Sequence, residues 1–500
     1  MTADTPAWVR DAFFYQVFPD RFASSSRVVK PGPLEPWDVP PTMHGFKGGD
    51  LLGIVERLDY LADLGITALY LTPIFASASN HRYHTYDYLA VDPLLGGDKA
   101  LRELLDAAHD RDMRVVLDGV FNHTGRGFWP FHHVLETGAA SPYRRWFHLD
   151  DAALERGRPL LAYPPAGTPA DAFGYTAWWG MPALPKLNTD EPLVREYLFG
   201  VAEHWLRFGI DGWRLDVPAE IDDEAFWQEF RSRCRAVRSD AYLVGEIWHI
   251  APEWLLGDRF DALMNYPLAE AILGFVGGAS LDDAIVRGHQ EYAGRVVPRD
   301  GAAFGRHLEE LLGAYRPATT AVQLNLLGSH DAPRMRTVLG GEVARVVLAV
   351  LLQAALPGAP CLYYGDEVGL TGGNDPECRG AFPWDPARWE PGLRDSIRAL
   401  FRLRSLEPAL RDGPVSIVGT AGTALGFERG SGPARFVVVV NPGPSTVRLD
   451  LIFADAPAGH GGHLAPIELP GLSGVGEARI EDGRAALDVA PLGGAVLRIV

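Results

Sequence analysis

The chain has 500 residues, of which 47% are hydrophobic and 22% are charged, and its formal net charge at pH 7 is −18. With a mean hydropathy of −0.03, this composition excludes a disordered chain and a membrane-embedded helix bundle. The excess of acidic residues disfavours nucleic acids and anionic membranes as partners, because their phosphates would be repelled. The length predicts one large domain with insertions and a small second domain.

The first residues lack a basic segment followed by a long apolar run, so the sequence predicts no secretory leader. No stretch approaches the roughly eighteen apolar residues of a membrane span. The three cysteines, Cys234, Cys361 and Cys378, are far apart and form no metal-binding or disulfide pattern. We therefore expect reduced thiols and a cytoplasmic protein.

Short apolar runs alternate with longer amphipathic runs from about residue 11 to about residue 410. This alternation is typical of repeated β-α units and predicts an α/β fold, a (β/α)8 TIM barrel. The predicted strands are 13–18, 66–71, 114–121, 212–217, 242–247, 260–265, 322–327 and 359–364. The predicted helices are 51–64, 99–111, 192–208, 224–237, 281–314 (broken) and 342–355.

Two regions depart from the β-α alternation. After the third strand, a segment rich in Pro, Gly and aromatic residues shows no helical period, and loops of this length are usually functional or form small domains. The last part of the chain alternates Val, Ile and Leu between Gly and Pro turns, which predicts a C-terminal antiparallel β-sandwich. We predict a barrel of residues 1–123 and 191–410, an inserted domain of residues 124–190, and a β domain of residues 411–500.

Acidic residues stand where three predicted strands end. Asp216 closes GWRLD, Glu246 closes AYLVGE, and Asp331 closes NLLGSHD. In a parallel barrel the carboxyl ends of the strands form the catalytic rim. Cleavage of a glycosidic bond needs two carboxyl groups, one as acid/base and one as nucleophile. The pattern therefore indicates a sugar-cleaving enzyme.

The neighbours of two acids suggest different roles. Arg214 and Asp216 share one face of an extended chain, and we expect the guanidinium to keep this carboxyl group ionised as a nucleophile must be. A structural ion pair is the alternative. Glu246 lies among apolar and aromatic residues that would raise its pKa by desolvation, which suits a general acid.

Other polar and aromatic residues near the predicted strand ends are candidates for binding sugar. His330 is adjacent to Asp331, and the pair offers a donor and an acceptor to sugar hydroxyls. In DGVFNH, Asp118 and Asn122 fit equally well a turn with capping side chains. Sugar rings stack on aromatic side chains, and the candidates are Tyr83, Trp248, Trp178 and Trp179, with a core role as the alternative for each.

The segments DGVFNH, GWRLDVPAE, VGEIW and NLLGSHD, in this order, resemble the four signature regions of the α-amylase superfamily of glycoside hydrolases. The resemblance extends through FYQVFPDRF and YYGDEVGLTGGNDPECR across almost the whole predicted barrel. It implies that Asp216 is the nucleophile, Glu246 the acid/base and Asp331 the stabiliser of the transition state. The residues that it places around the sugar at the cleavage site are Arg214, His123, His330, Tyr83, Asp118 and Trp248.

Within the superfamily, MPALPKLN resembles the fifth region of the cyclomaltodextrinase, neopullulanase and maltogenic amylase group. Glu220, four residues after the implied nucleophile, and His249 after Trp248 agree with this group. In NDPECR, Asp375 and Arg379 look like contacts to the next sugar on the non-reducing side. The group implies hydrolysis of α-1,4 bonds in cyclodextrins and maltooligosaccharides, with some α-1,6 cleavage and glycosyl transfer.

Three features depart from the group. FYQVFPDRF begins at Phe14, whereas members usually carry an N-terminal β domain of roughly a hundred residues before the barrel, so substrate size and oligomeric state stay open. His84 stands where the group commonly has Asp, and Pro218 and Ala219 replace a more usual Ala-Asn. Asn122 resembles a calcium-associated position, which leaves a calcium ion open. We expect no required metal, redox or nucleotide cofactor.

Two other functions are compatible with these residues. An isomerase or transferase of the same superfamily, such as one that interconverts maltose and trehalose, would keep all three acids. A non-catalytic glycan-binding protein would keep the barrel, and such proteins typically lose an acid. The presence of Asp216, Glu246 and Asp331 together favours an enzyme that acts on an oligosaccharide.

Overall fold

A computed structural model of the chain describes residues 5–431, 434–453 and 462–500. Eight parallel strands lie side by side in the order β6-β5-β4-β3-β2-β1-β8-β7, and a parallel bridge between Met264 and Leu324 joins the two edges. The sheet therefore closes into the predicted (β/α)8 barrel. Its strands are β1 (Phe14–Val17), β2 (Ala68–Leu71), β3 (Arg114–Gly119), β4 (Gly212–Leu215), β5 (Tyr242–Gly245), β6 (Ala262–Leu263), β7 (Leu324–Leu326) and β8 (Ala359–Tyr363).

All eight predicted strands are present. β2, β4, β5 and β8 are buried along their whole length, as expected for parallel strands enclosed by helices. The observed β4 and β5 end one residue before the acids that the predicted strands included. Asp216 directly follows β4 and Glu246 directly follows β5, so both acids lie at the carboxyl rim of the barrel.

The helices agree with the predictions at 192–208 and 224–237, and the predicted helix 51–64 is divided in two. The α-helices are Ala7–Arg10, Pro19–Phe22, Leu51–Val55, Leu58–Leu64, Gly97–His109, Trp129–Thr137, Asp151–Glu155, Pro192–Phe208, Glu224–Val237, Tyr266–Gly277, Asp283–Gly288, Gly301–Gly313, Pro317–Thr320, Met335–Val338, Val343–Ala355, Leu393–Leu406 and Pro408–Asp412. In the described part of the chain, no helix combines the length and the apolar character needed to cross a bilayer.

Two long helices were not predicted. Tyr266–Gly277 is buried on all sides except at Pro267, so its sequence has no polar face and no helical period. Leu393–Leu406 follows the last barrel strand and buries Ile397, Leu400 and Phe401 at helical spacing. This second pattern was readable in the sequence.

The inserted segment after β3 packs over the carboxyl rim. It contains the helix Trp129–Thr137, although its sequence shows no helical period. An isolated antiparallel bridge between His123 and Lys186 connects it to the rim. Its boundaries at 124 and 190 stay predictions.

The C-terminal region is an antiparallel β structure, as predicted. A six-stranded sheet in the order β9-β10-β11-β16-β13-β14 and the pair β12-β15 enclose an apolar core that includes Val437, Val439 and Leu449. The strands are β9 (Val415–Ala421), β10 (Ala424–Ser431), β11 (Ala434–Asn441), β12 (Val447–Ile452), β13 (Gly462–Pro466), β14 (Ala478–Ile480), β15 (Arg484–Val489) and β16 (Gly493–Ile499).

Candidate active site

The barrel register places two of the predicted acids next to each other. Leu215 in β4 is paired with Gly245 in β5, and each acid is the next residue on its strand. The backbone N–H of Glu246 donates to the carbonyl oxygen of Leu215 at 3.0 Å, so the pairing continues to the acids. Asp216 and Glu246 therefore project from neighbouring positions at the rim.

Arg214 connects three carboxyl groups beneath the rim. Its Nη1 donates to Asp118 Oδ1 at 2.8 Å and to Asp216 Oδ1 at 3.0 Å. Its Nη2 lies 2.9 Å from Glu246 Oε1, and its Nε donates to the thioether sulfur of Met264 at 3.3 Å. The Arg214 side chain is fully buried, so its position is fixed by these four partners.

Burial affects the pKa values of both Glu246 and Asp216. Burial raises the pKa of Glu246 above its ordinary value, as its apolar neighbours predicted. Burial also raises the pKa of Asp216 well above its ordinary value, and Arg214 opposes this effect without overcoming it. The expected effect of Arg214 on Asp216 is present, but burial and the nearby carboxyl groups of Glu246 and Asp118 act against it.

The two oxygen atoms of Glu246 have different environments. Oε2 accepts a hydrogen bond from the backbone N–H of Val217 at 3.0 Å, and Oε1 accepts one from Trp248 Nε1 at 3.3 Å. The Trp248 ring is half-buried and stacks on Tyr266 with centroids 3.4 Å apart. Within the described residues, Asp216 Oδ2 is buried and has no hydrogen-bond partner, so it is free to approach a substrate.

Tyr83, His330 and Asp118 form a hydrogen-bonded chain beside the acids. The Tyr83 hydroxyl donates to Asp118 Oδ2 at 2.8 Å and lies 2.5 Å from His330 Nε2. Gln16 Nε2 donates to His330 Nδ1 at 2.8 Å, which assigns the ring proton of His330 to Nε2. Burial lowers the pKa of His330 to about 3, so the imidazole is neutral at neutral pH. The Tyr83 ring stacks on this imidazole at 5.3 Å.

Asp331 and Asp375 are joined by one guanidinium. Arg379 Nη2 donates to Asp331 Oδ1 at 3.1 Å, and Nη1 lies 3.0 Å from Asp375 Oδ1. Burial works against ionisation of Asp331, but His330 and Arg379 lower its pKa below the ordinary value. The structure therefore brings Asp375 and Arg379 to the same rim as the three acids.

His123 is the predicted site residue that faces the inserted segment. Burial lowers its pKa to about 3, and its Nε2 has no hydrogen-bond partner within the described part of the chain. Its ring stacks on Trp178 with centroids 4.7 Å apart, and Trp178 in turn stacks on Trp179. Trp178 and Trp179 therefore extend outward from the site, in contrast to the core role that was their alternative.

The motif MPALPKLN meets the loop that follows Asp216. Lys186 Nζ donates to the carbonyl oxygen of Glu220 at 2.9 Å and lies 3.4 Å from Glu220 Oε2. Pro218 and Ala219, which depart from the group, belong to the short helical turn Pro218–Glu220. The inserted segment and the β4 loop thus share one wall of the site.

Several residues of the site were missed by sequence reasoning. Met264 contacts Arg214, and Gln16 orients His330. Arg295 donates to the carbonyl oxygen of Trp248 at 2.8 Å, and His289 Nε2 lies 2.7 Å from the carbonyl oxygen of Asp331. Only Gln16 had a local signal, since it is a polar residue within the buried strand β1.

Asn122, which resembles a calcium-associated position, leaves a calcium ion open. Asn122 Oδ1 is buried and has no hydrogen-bond partner among the described residues. A calcium ion needs six to eight oxygen ligands, usually including carboxylates. No group of three or more His, Cys, Asp or Glu side chains in the described ranges is arranged to hold a metal ion.

Paired carboxyl groups at neighbouring strand ends of a (β/α)8 barrel define a glycoside hydrolase. The α-amylase catalytic-domain family matches residues 16–396, and the chain belongs to this family. A cyclomaltodextrinase from Geobacillus thermopakistaniensis (strain MAS1) is 44% identical over 440 residues, which are 87% of this chain and 69% of the relative. Its name agrees with the group that the sequence motifs indicated.

Two solved structures match nearly the whole chain. The protein Ttha1563 from Thermus thermophilus is 49% identical and superposes with a TM-score of 0.89 over 98% of this chain and 100% of that protein. A debranching enzyme from Nostoc punctiforme is 43% identical and superposes with a TM-score of 0.87 over 100% of both chains. These similarities cover the barrel, the inserted segment and the C-terminal β region.

Proposed function

We propose that this chain hydrolyses α-1,4-glucosidic bonds of cyclodextrins and maltooligosaccharides with retention of anomeric configuration. The observation that carries the proposal is the register of β4 and β5, which makes Asp216 and Glu246 neighbours at the rim. Adjacent strands lie about 4.8 Å apart, and carboxyl groups of retaining enzymes are about 5–5.5 Å apart. Inverting enzymes need a wider separation to admit a water molecule.

In the proposed reaction, Glu246 donates its proton to the glycosidic oxygen while Asp216 Oδ2 attacks the anomeric carbon. The bond to the leaving sugar breaks, and a covalent glycosyl ester forms on Asp216. Glu246, now a carboxylate, takes a proton from water, whose oxygen attacks the anomeric carbon and releases Asp216. These two carboxyl groups supply the proton and the nucleophile, so the reaction needs no redox or nucleotide cofactor.

The other rim residues would bind and orient the sugar. Asp331 is held by His330 and Arg379, and we assign it to stabilisation of the transition state. His123 Nε2 is available to bind a sugar hydroxyl, and the half-buried Tyr83 ring is available to stack on the sugar. Asp375 and Arg379 would contact the next sugar on the non-reducing side.

The similarity to the Nostoc punctiforme debranching enzyme supports some α-1,6 cleavage as well, and transglycosylation is part of the proposal. Hydrolysis is favoured over isomerisation and over non-catalytic binding because the relatives reported above with named activities are hydrolytic enzymes. A cytoplasmic location is supported by three buried free cysteines.

The test is a product analysis with the purified protein. Incubation with γ-cyclodextrin, maltotriose, pullulan and starch should give linear maltooligosaccharides or glucose, and proton NMR should first detect α-anomers. Asp216→Asn should fold normally and lose turnover. An initial β-anomer would refute the assignment of the two acids, and conversion of maltose to trehalose without release of glucose would favour the isomerase.

A further inference from the structure

Three parallel rings lead from the candidate active site to solvent. His123 stacks on Trp178 with centroids 4.7 Å apart and planes inclined by 6°, and Trp178 stacks on Trp179 at 4.6 Å and 14°. His123 is fully buried, Trp178 is half-buried, and Trp179 is 69% exposed. The outermost indole is therefore presented to solvent at the end of a continuous aromatic stack that starts at the rim.

The backbone of Trp179 is unusual for such a large residue. Its φ is +50°, in the left-handed region that disfavours L-residues with bulky side chains. Glycine or asparagine would adopt this conformation at a lower cost. Folding of the turn therefore does not account for a tryptophan at this position, and neither does core packing, because most of the side chain lies in solvent.

The turn that carries Trp179 is held by hydrogen bonds on both sides. The Trp178 N–H donates to the carbonyl oxygen of Leu184 at 2.9 Å, and the Gly180 N–H donates to that of Ala177 at 3.1 Å. Ala177 also forms an antiparallel bridge with Pro185. Because the ring is fixed before any ligand arrives, binding to it would cost little side-chain entropy.

We propose that the exposed face of Trp179 binds a glucosyl residue of an α-glucan chain that extends beyond the cleavage site. This inference rests on the proposed function and adds a substrate-length determinant to it. The C–H face of a glucopyranose ring is apolar and stacks on an indole. Since Trp179 is two ring layers away from His123, we expect it to contact a sugar beyond those held at the acids, so its contribution is larger for a long chain than for a trisaccharide.

Trp129 provides a matched control in the same inserted segment. It is 46% exposed, but it begins the helix Trp129–Thr137 and packs edge-on against Tyr143 at 4.8 Å. Trp129 is not part of the three-ring stack. The packing of Trp129 within the inserted segment accounts for a tryptophan at this position. Its removal should therefore not affect glucan binding.

The experiment compares Trp179→Asn, Trp179→Phe and Trp129→Ala with the original protein on maltotriose and maltoheptaose. Trp179→Asn should raise the KM for maltoheptaose about tenfold with kcat unchanged, and the KM for maltotriose should stay within twofold. Trp179→Phe should largely retain the low KM, and Trp129→Ala should change neither. Equal effects on both substrates, or none in Trp179→Asn, would overturn the inference.

A binding measurement separates this inference from the proposed function. Calorimetric titration of Asp216→Asn with maltoheptaose, with and without Trp179→Asn, does not depend on turnover. Trp179→Asn should weaken binding about tenfold in this background. Equal dissociation constants would refute the role of Trp179, whereas absence of hydrolysis by the original protein would refute the proposed function alone.

Discussion

Arg214→Lys tests how the candidate active site holds its acids together. The guanidinium of Arg214 reaches Asp118 and Asp216 through Nη1 and lies beside Glu246 through Nη2. A lysine keeps the positive charge but has a single nitrogen on a flexible stem, which cannot replace the planar fork. We expect the ammonium group to serve Asp118 or Asp216 and to leave Glu246 without its cation.

The expected decrease in kcat follows from the contacts that Arg214→Lys removes. A hydrogen bond to a charged group contributes about 1.5–3 kcal/mol, and Arg214→Lys removes two of the three carboxyl contacts. If about half of this total is felt in the transition state, the barrier rises by about 2 kcal/mol, which lowers kcat about thirtyfold.

The pH profile should change as well. Arg214 lowers the pKa of both Asp216 and Glu246 against the effect of burial. When lysine replaces Arg214, the positive charge lies farther from these acids. The ionised forms of Asp216 and Glu246 are then less stable, and both pKa values rise. Because turnover needs an ionised nucleophile, activity should be lost at a higher pH on acidification than in the original protein.

The assay is kcat for maltotriose between pH 4 and pH 8, together with a melting curve by circular dichroism. Arg398→Lys is the control, because Arg398 forms a surface ion pair with Asp63 at 3.0 Å and is 42% exposed. A kcat within fivefold of the original with an unmoved acidic limb would refute the account of Arg214 given above.

Three further predictions concern residues that support the site. Burial raises the pKa of Glu270 from 4.5 to about 7, so the folded state loses stability as the pH rises between these two values. Glu270→Gln should therefore raise the free energy of unfolding by about 3 kcal/mol more at pH 8 than at pH 4, in urea titrations. Met264→Leu leaves Arg214 Nε without its acceptor and should lower kcat about fivefold by initial rates, together with a lower Tm, because an unpaired buried donor costs stability. Lys186→Ala removes the hydrogen bond between the inserted segment and the Glu220 carbonyl oxygen, and it should raise the KM for cyclodextrin severalfold with kcat retained. An unchanged KM for cyclodextrin would contradict this role.

The barrel was predictable because its strands are short apolar runs that recur at regular intervals between amphipathic helices. Val116 and Leu117 in β3, or Leu243 and Val244 in β5, are signals of buried parallel strands whatever surrounds them. The helix Tyr266–Gly277 was missed for the same physical reason, since a helix buried on all sides loses the period that reveals it.

The site was predictable only where side chains stand at strand ends. Asp216 and Glu246 follow apolar strands directly and Asp331 lies in the loop after β7, so their convergence follows from the barrel. Other contacts join segments more than forty residues apart and cannot be predicted from a local pattern. They are those of His289 with Asp331 and of Arg295 with Trp248. The sharing of Arg214 among three acids also depends on three-dimensional proximity alone.

The charges at the rim suit a reaction in which positive charge develops on the sugar in the transition state. Two guanidinium groups form ion pairs with all five rim carboxyl groups, which are those of Asp118, Asp216, Glu246, Asp331 and Asp375. Burial raises the pKa of Asp216, and Arg214, the cation in contact with it, is shared with Asp118 and Glu246. An anomeric carbon that gains positive charge beside Asp216 Oδ2 supplies a further positive charge, and transfer of the Glu246 proton to the leaving oxygen accompanies it. Positive charge that develops on the sugar therefore stabilises the ionised form of Asp216, and this is a form of binding directed at the transition state.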